Sequence, residues 1–325
     1  MGGAASGAGA GAHSSAENPY LRELLLPGLQ HLALADERDD AVYFSRIAAA
    51  AAGGHTLSQY TEGICHEFGF GTDIDECLAA ESYERAADYA PALYRLGCVY
   101  LDCITFGTKL ERMATAAEYY RAAAAKGHVE SQLELAVFYG GLELSLTAVN
   151  TKLAFDYAVS ASKAGSVPAQ CHLGSFYMGW PSGAVAVDLS KAFYFYSCAK
   201  DAGFLFGHFA VGVCYEYGYH VAVDMGVALE HYHYAAARGH ARSLCKLGEC
   251  YEDGIGVVAD ALLSKTFYRR AAEGGNKGAL QKLGAGFDLD EVAVAAAEKV
   301  RLAHLASFGA DVVSRYAALQ RYMTE

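Results

Sequence analysis

Nine cysteines are the residues of this sequence best suited to binding a metal or forming disulfides. Cys65, Cys214 and Cys250 each lie two residues after a glycine that recurs along the chain, and Cys171 and Cys245 lie three residues before one. The total is odd and no paired spacing occurs, so the pattern does not predict a disulfide framework. We interpret the cysteines as packing residues with free thiols, which indicates a reducing compartment.

Twelve histidines raise the question of a metal site, above all where His231 and His233 stand close to His240. Positions i and i+2 of a helix point in different directions, so His231 and His233 are poorly placed to share an ion. His240 directly follows a glycine, as His55 and His128 do, and this marks a recurrent turn position. We therefore predict no metal site and no cofactor.

Motifs of common enzyme classes are missing from the sequence. It contains no GxSxG, P-loop or HExxH pattern. The glycines of Gly69-x-Gly71 and Gly254-x-Gly256 do not follow a strand pattern, so we assign them to turns between helices and not to a phosphate site. The many carboxylates are explained by solvated helix faces, and the sequence predicts no catalytic centre.

The elements that position these residues are indicated by a phrase that returns every 34–39 residues. A small residue and an apolar one precede Leu-Gly, and an aromatic residue follows three places after the glycine, as in APALYRLGCVY and SLCKLGECY. Ala136 takes the glycine position once and His66 the aromatic position once. The recurrent glycines are Gly63, Gly97, Gly174, Gly212, Gly248 and Gly284, and the aromatics are Tyr100, Tyr139, Tyr177, Tyr215, Tyr251 and Phe287.

A second phrase fills each interval: an acid, an aromatic eight residues later, then small residues and a glycine. The acid suits the N-cap of a second helix, and the late glycine suits its left-handed end. The glycine of the first helix lets the second approach closely, so that its aromatic packs there. One helix pair cannot bury both of its faces, so the pairs must stack. The acids are Asp75, Asp188, Asp224 and Asp260, and the late glycines are Gly127, Gly165, Gly203, Gly239 and Gly275.

The two phrases together resemble Sel1-like repeats, which are related to the tetratricopeptide repeat. The resemblance is fullest in residues 241–275 (ARSLCKLGECYEDGIGVVADALLSKTFYRRAAEGG) and weaker elsewhere. Arg112 stands where an acid is expected, the unit near Val129 lacks the GxG turn, and Trp180 and Pro181 interrupt another turn. The resemblance implies an all-α superhelix or solenoid of about six to seven helix pairs.

Four segments follow from the pattern. Residues 1–18 are rich in Gly, Ala and Ser and are predicted to be a disordered tail. Residues 19–54 keep a degenerate repeat that we interpret as an N-terminal cap, and residues 55–290 form the repeat array. Residues 291–325 are predicted to be capping helices, the last with an apolar stripe of Val312, Tyr316, Leu319 and Met323.

A partner-binding groove follows if the concave side resembles that of tetratricopeptide repeats, where the first helices of the pairs line it. Three positions then face the groove: three residues before the repeat glycine, and four and five residues after it. They combine aromatic and carboxylate side chains, which suits a peptide with apolar and basic anchors. The candidate residues are Tyr60, Glu67, Phe68, Tyr94, Asp102, Phe209, Glu216, Tyr217, Glu252 and Asp253, with Leu133 and Asp288 at equivalent positions.

Composition and charge argue against two classes of protein, those that bind nucleic acid and those that span a membrane. The net charge of −12 and the lack of a basic stripe argue against nucleic acid. No apolar run approaches the roughly 20 residues of a membrane span, and no secretory signal is seen, so we expect a cytoplasmic protein. The resemblance to Sel1-like repeats implies that it is a scaffold or adaptor for other proteins. Two alternatives stay open. The first is a membrane-tethered regulator, because Met1-Gly2 with Ser6 fits the myristoylation pattern, with Gly2 as the modified residue. The second is a hydrolase, which is suggested only because some secreted Sel1-like proteins bind β-lactams.

Overall fold

The computed structural model describes residues 40–140 and 150–284, and every regular element in these ranges is helical. The chain divides into two compact units, Met1–Ser131 and Gln132–Glu325. Within residues 40–131, the first unit shows five α-helices and a short 3-10 turn, Ile104–Phe106. The helices are α1 (Asp40–Ala52), α2 (Thr56–Phe68), α3 (Glu76–Arg85), α4 (Ala90–Asp102) and α5 (Lys109–Ala125).

Helix α6 (Val129–Tyr139) carries the boundary between the units, and eight further helices lie in residues 150–284 of the second unit. They are α7 (Thr151–Lys163), α8 (Val167–Tyr177), α9 (Leu189–Asp201), α10 (Leu205–Tyr217), α11 (Met225–Ala237), α12 (Ala241–Asp253), α13 (Ala261–Glu273) and α14 (Lys277–Leu283). No helix in the described ranges has the length and apolar character that crossing a membrane requires.

The repeat glycine packs directly against a tyrosine of the second helix in its pair. A Cβ atom added to Gly63 would lie 2.5 Å from the ring of Tyr83, and one added to Gly248 would lie 2.6 Å from the ring of Tyr268. The same contact joins Gly97 to Tyr120, Gly174 to Tyr196 and Gly212 to Tyr232. These tyrosines are buried, and the prediction of a close approach at the glycine is confirmed.

Helix ends follow the predicted cap chemistry. The Asp224 carboxylate accepts a hydrogen bond from the Val227 backbone amide, and Asp75, Asp188 and Asp260 cap their helices in the same way. The late glycines all adopt positive φ, the backbone region that glycine reaches without steric cost: 85° at Gly127, 96° at Gly165, 80° at Gly203, 86° at Gly239 and 81° at Gly275.

Helix α5 shows how the repeat tolerates Arg112 at the acid position. Thr108 forms a capping box with Glu111, so the helix begins earlier and does not need an acid at 112. Arg112 is buried, and its guanidinium donates to the Leu101 carbonyl oxygen at 2.7 Å. The departure therefore moves the start of the helix and keeps the helix pair.

Ala136, which replaces the repeat glycine in α6, is matched by a second change. The position eight residues after the cap, a tyrosine in the other pairs, is Ala158 in α7. Ala136, Ala154 and Ala158 lie in one buried cluster. A methyl group is added on one helix where a tyrosine ring is removed from the other, so the pair still packs.

All nine cysteines have free thiols, as the repeat phase predicts. Six are buried, Cys198 and Cys245 are half-buried, and Cys77 is exposed. Burial raises the pKa of the Cys214 and Cys250 thiols to about 11, which keeps them protonated at neutral pH.

Candidate partner-binding surface

The first groove position builds the core in the first unit. Tyr60 is 5% exposed and packs against the rings of Tyr83 and Tyr89, with centroid distances of 5.9 and 5.1 Å. Tyr94 is 3% exposed, and its ring packs at a tilt against that of Tyr120 with a centroid distance of 5.7 Å. The interpretation of Tyr60 and Tyr94 as partner contacts is therefore corrected, because their rings face the neighbouring helix of the same array.

In the second unit the equivalent Phe209 is half-buried. Its ring contacts those of Tyr232 and His240, with centroid distances of 5.9 and 5.4 Å. Leu133, at the same position in α6, is 2% exposed. Position three before the glycine thus contributes mainly packing.

The carboxylates at the second position are held by partners within the chain. Glu216 is 9% exposed, accepts a hydrogen bond from the Tyr232 hydroxyl at 2.5 Å and pairs with Lys246 at 3.0 Å. Glu252 accepts from the Tyr268 hydroxyl at 2.6 Å and from Lys282 at 2.7 Å.

Glu67 repeats this arrangement in the first unit. It accepts from the Tyr83 hydroxyl at 2.6 Å and from the Arg95 Nε at 3.0 Å. The three clusters, which we call carboxylate–tyrosine–cation triads, each join the two helices of one pair to the first helix of the next. They are Glu67–Tyr83–Arg95, Glu216–Tyr232–Lys246 and Glu252–Tyr268–Lys282.

The electrostatics of the triads match this geometry. Burial and the neighbouring Glu216 carboxylate raise the pKa of Tyr232, so its hydroxyl keeps the proton that it donates. Hydrogen bonds from Lys282 and Tyr268 lower the pKa of Glu252. Each of the three carboxylates is paired with a cation of the same chain, so it offers a partner less charge than the sequence suggests.

The triads were missed by sequence reasoning because their cations lie in the next repeat. Arg95 follows Glu67 by 28 residues, and Lys246 and Lys282 follow their glutamates by 30. The tyrosine follows each glutamate by 16 residues. The repeated spacing of glutamate, tyrosine and cation along the sequence was the signal from which the triads could have been predicted.

The third position supplies exposed aromatic surface. Phe68 is 38% exposed, with the Arg95 guanidinium 5.0 Å from its ring centroid. Tyr217 is 53% exposed, with the Lys246 ammonium 5.6 Å from its ring, and it stacks on Tyr219 at 5.7 Å. Each ring lies beside the cation of a triad and stays partly exposed to solvent.

Carboxylates at this level of the repeat are exposed as well. Asp102 ends α4 and Asp253 ends α12, and both lie at the surface. At this position the exposed residue is therefore aromatic or acidic at the ends of α2, α4, α10 and α12. Asp288 and Gly2 lie outside the described residues.

Histidines occupy structural positions in the repeats. His231 contacts His208 and Tyr215, whereas His233 contacts Tyr251 and Phe267, so the two rings diverge as predicted. The Nδ1 atoms of His128 and His240 each accept a hydrogen bond from the backbone N–H three residues later in the chain, with a nitrogen–nitrogen distance of 3.3 Å. In residues 40–140 and 150–284, no group of three or more His, Cys, Asp or Glu is placed to hold a metal.

These helix pairs, with a glycine–tyrosine contact and an acid cap in each unit, define a class of helical repeat protein, the α-solenoid. The Sel1 repeat family model matches residues 90–128, 129–166, 167–204, 206–240 and 241–276, which together exceed half of the chain. The chain belongs to the Sel1 repeat family, whose members are typically non-enzymatic repeat scaffolds that mediate protein–protein interactions. The matched ranges begin at residue 90, although α2 and α3 already show the glycine–tyrosine contact.

Solved structures of Sel1 repeat proteins share the fold. A protective antigen of uropathogenic Escherichia coli strains, described as an SLR fold, is 23% identical with a TM-score of 0.65. The match covers 90% of this chain and 62% of that protein, so the chain spans less than two thirds of it. A Sel1 repeat protein from Oxalobacter formigenes is 23% identical with a TM-score of 0.60, covering 72% of this chain and 96% of that one. Comparison with curated protein sequences gave no significant match.

Proposed function

We propose that the protein is a non-enzymatic scaffold that binds partner proteins through the exposed ends of its first helices. The observation that carries this proposal is the exposure of Phe68 and Tyr217, each held in place by a cation from the next helix pair. Aromatic side chains that are exposed yet held by their neighbours are typical anchors of protein interfaces, because little conformational entropy is lost when they bind.

The partner is expected to present apolar side chains together with Lys or Arg. Phe68 and Tyr217 would contact the apolar groups, and Asp102 and Asp253 the basic ones. Glu216 and Glu252 contribute indirectly, because each positions the lysine of its triad. The proposed surface keeps Phe68, Tyr217, Asp102 and Asp253 of the groove predicted from sequence, and it no longer uses Glu216 and Glu252 as direct contacts.

A matched pair of tyrosine variants tests the proposal. Tyr217→Ala removes a proposed anchor, and Tyr194→Ala removes a 62% exposed tyrosine on the second helix α9, away from the proposed surface. Proteins captured by the full-length chain are quantified by mass spectrometry for each variant. Partners retained by Tyr194→Ala and lost by Tyr217→Ala or Phe68→Ala support the surface; identical capture by all variants contradicts it.

We further propose that the protein works in the cytoplasm. The nine free thiols support a reducing compartment. Tethering through Gly2 is the second candidate, supported by the sequence Met1-Gly2 with Ser6. Mass spectrometry of the N-terminal peptide from the native cell distinguishes the two, because a myristoyl group on Gly2 would establish the tethered form.

A further inference from the structure

Two histidines from neighbouring helices meet at the surface of the second unit. His208 lies on α10 and His231 on α11, and their Nδ1 atoms are 3.3 Å apart. The ring centroids are 5.4 Å apart. Both side chains are half-buried.

This separation is the one that a shared metal ion requires. In a tetrahedral site the bonds from zinc to imidazole nitrogen are about 2.0–2.1 Å, which puts two nitrogen ligands about 3.3–3.4 Å apart. In the metal-free protein, the same distance allows one Nδ1–H to donate to the other Nδ1. Binding therefore needs a change of tautomer in one ring and little movement of either helix.

The protonation state favours ligation. Burial, then the neighbouring His231, lowers the pKa of His208 to about 4, and burial also lowers the pKa of His231. Lys200 lowers the pKa of both rings and Arg238 that of His208, whereas Asp201 raises the pKa of His208 and Glu230 that of His231. The two cations also oppose binding of a metal ion by charge repulsion, which lowers the expected affinity. Neutral imidazole is the form that binds metal, so protons do not compete at neutral pH.

Neighbouring side chains hold the His208 ring in position. It stacks on Tyr234 with a centroid distance of 3.9 Å and an interplanar angle of 21°. The Arg238 guanidinium lies 3.7 Å from the Tyr234 centroid, and its Nη1 donates to the Tyr234 carbonyl oxygen. Supporting contacts of this kind keep a ligand in the orientation that coordination needs.

In contrast to the prediction from sequence that the chain holds no metal site, we propose that His208 and His231 form a two-histidine site for a divalent transition-metal ion of the Zn²⁺, Ni²⁺ or Cu²⁺ type. Imidazole ligands select these ions over Mg²⁺ and Ca²⁺, which prefer oxygen. No third protein ligand stands within reach in the described part of the chain, so water completes the coordination. The affinity is correspondingly lower than that of a structural zinc site with four protein ligands.

Calorimetric titration of the full-length chain with Zn²⁺ at neutral pH tests the site. Removal of a side chain that only hydrogen-bonds to a metal ligand weakens metal sites by about 10–100-fold, and removal of one of two ligands should weaken binding at least about tenfold. His208→Gln and His231→Gln are therefore expected to weaken the titration by that factor. The matched control is His233→Gln, which changes an exposed histidine on the same helix and should leave affinity unchanged.

Two further measurements distinguish a loss of metal binding from a loss of folding. Melting in the presence of EDTA shows whether each variant keeps its fold, and histidine ¹⁵N chemical shifts show which ring nitrogens bind Zn²⁺ in the unaltered protein. Perturbation of Nδ1 in His208 and His231 supports the proposal. It is overturned if the glutamine variants bind like the unaltered protein, or if only other histidines respond.

Discussion

At the scale of single residues, the contact between a helix glycine and a tyrosine ring makes a sharp energetic prediction. Gly248→Ala would place a methyl carbon 2.6 Å from the Tyr268 ring, so the ring or helix must move. Overpacking of this kind costs about 1–3 kcal/mol. We expect the free energy of unfolding, measured by urea denaturation, to fall by that amount.

The alanine pair of α6 and α7 indicates a compensating change. In Gly248→Ala/Tyr268→Ala the ring no longer blocks the methyl group, as with Ala136 and Ala158. The double variant should lose less stability than the sum of the two single variants. Additive losses would show that the glycine and tyrosine do not share one constraint.

His220 is a second residue with a local energetic consequence. Its φ is 69°, whereas the corresponding turn positions hold glycine, with φ of 67° at Gly71 and 70° at Gly256. A side chain in the left-handed region costs about 1–2 kcal/mol. His220 also contacts the Phe193 ring at 5.6 Å, which offsets part of this cost.

We predict that His220→Gly raises the free energy of unfolding by about 0.5–1 kcal/mol, because relief of the backbone exceeds the loss of the ring contact. His220→Ala is the control, since it removes the ring and keeps the strained φ. Thermal and urea unfolding of the three proteins measure the difference. A glycine variant less stable than the alanine variant would refute the argument.

At the scale of helices, the triads act as links between successive pairs. Lys246→Met would leave the largely buried Glu216 carboxylate with the Tyr232 hydroxyl alone. Leaving a buried charge short of a partner costs about 1–3 kcal/mol or more. The expected result is a loss of that size in the free energy of unfolding.

A surface pair in the first unit is the control for this prediction. Arg121 and Glu118 are 49% and 73% exposed and lie 3.8 Å apart. Arg121→Met should change stability by no more than about 0.5 kcal/mol, since solvent screens exposed pairs. If both variants lost the same free energy of unfolding, the triad would contribute no more to stability than an exposed ion pair.

At the scale of the whole molecule, charge is unevenly distributed along the chain. Residues 40–131 carry 13 acidic and 7 basic side chains, whereas residues 150–284 carry 11 acidic and 12 basic ones. We therefore expect the electrostatic attraction of a basic partner to come mainly from the acidic first unit. Charge attraction between exposed groups weakens as the Debye length shortens from about 10 Å at 0.1 M salt to about 3 Å at 1 M.

We predict that partners lost by Phe68→Ala are also released by salt, and that partners lost by Tyr217→Ala resist it. Capture by the full-length chain at about 0.1 M and 1 M sodium chloride, quantified by mass spectrometry, measures both groups. The opposite assignment, or equal salt sensitivity, would contradict a charge-driven first unit.

The sequence by itself determined the helix pairs and their internal contacts. Caps at Asp224 and Asp260, left-handed glycines and the glycine–tyrosine approach all join residues within one repeat, so their spacing in the chain is nearly their spacing in space. The family resemblance rests on the same local pattern, and the family match confirms it.

Only the tertiary structure decided which of the predicted groove residues reach the surface. Tyr60 and Tyr94 are covered by a neighbouring helix, and Glu67 and Glu216 are neutralised by cations 28 and 30 residues away in the next pair. The same holds for His208 and His231, 23 residues apart. Burial and charge pairing depend on how helices stack, and stacking brings together positions that a single repeat does not relate.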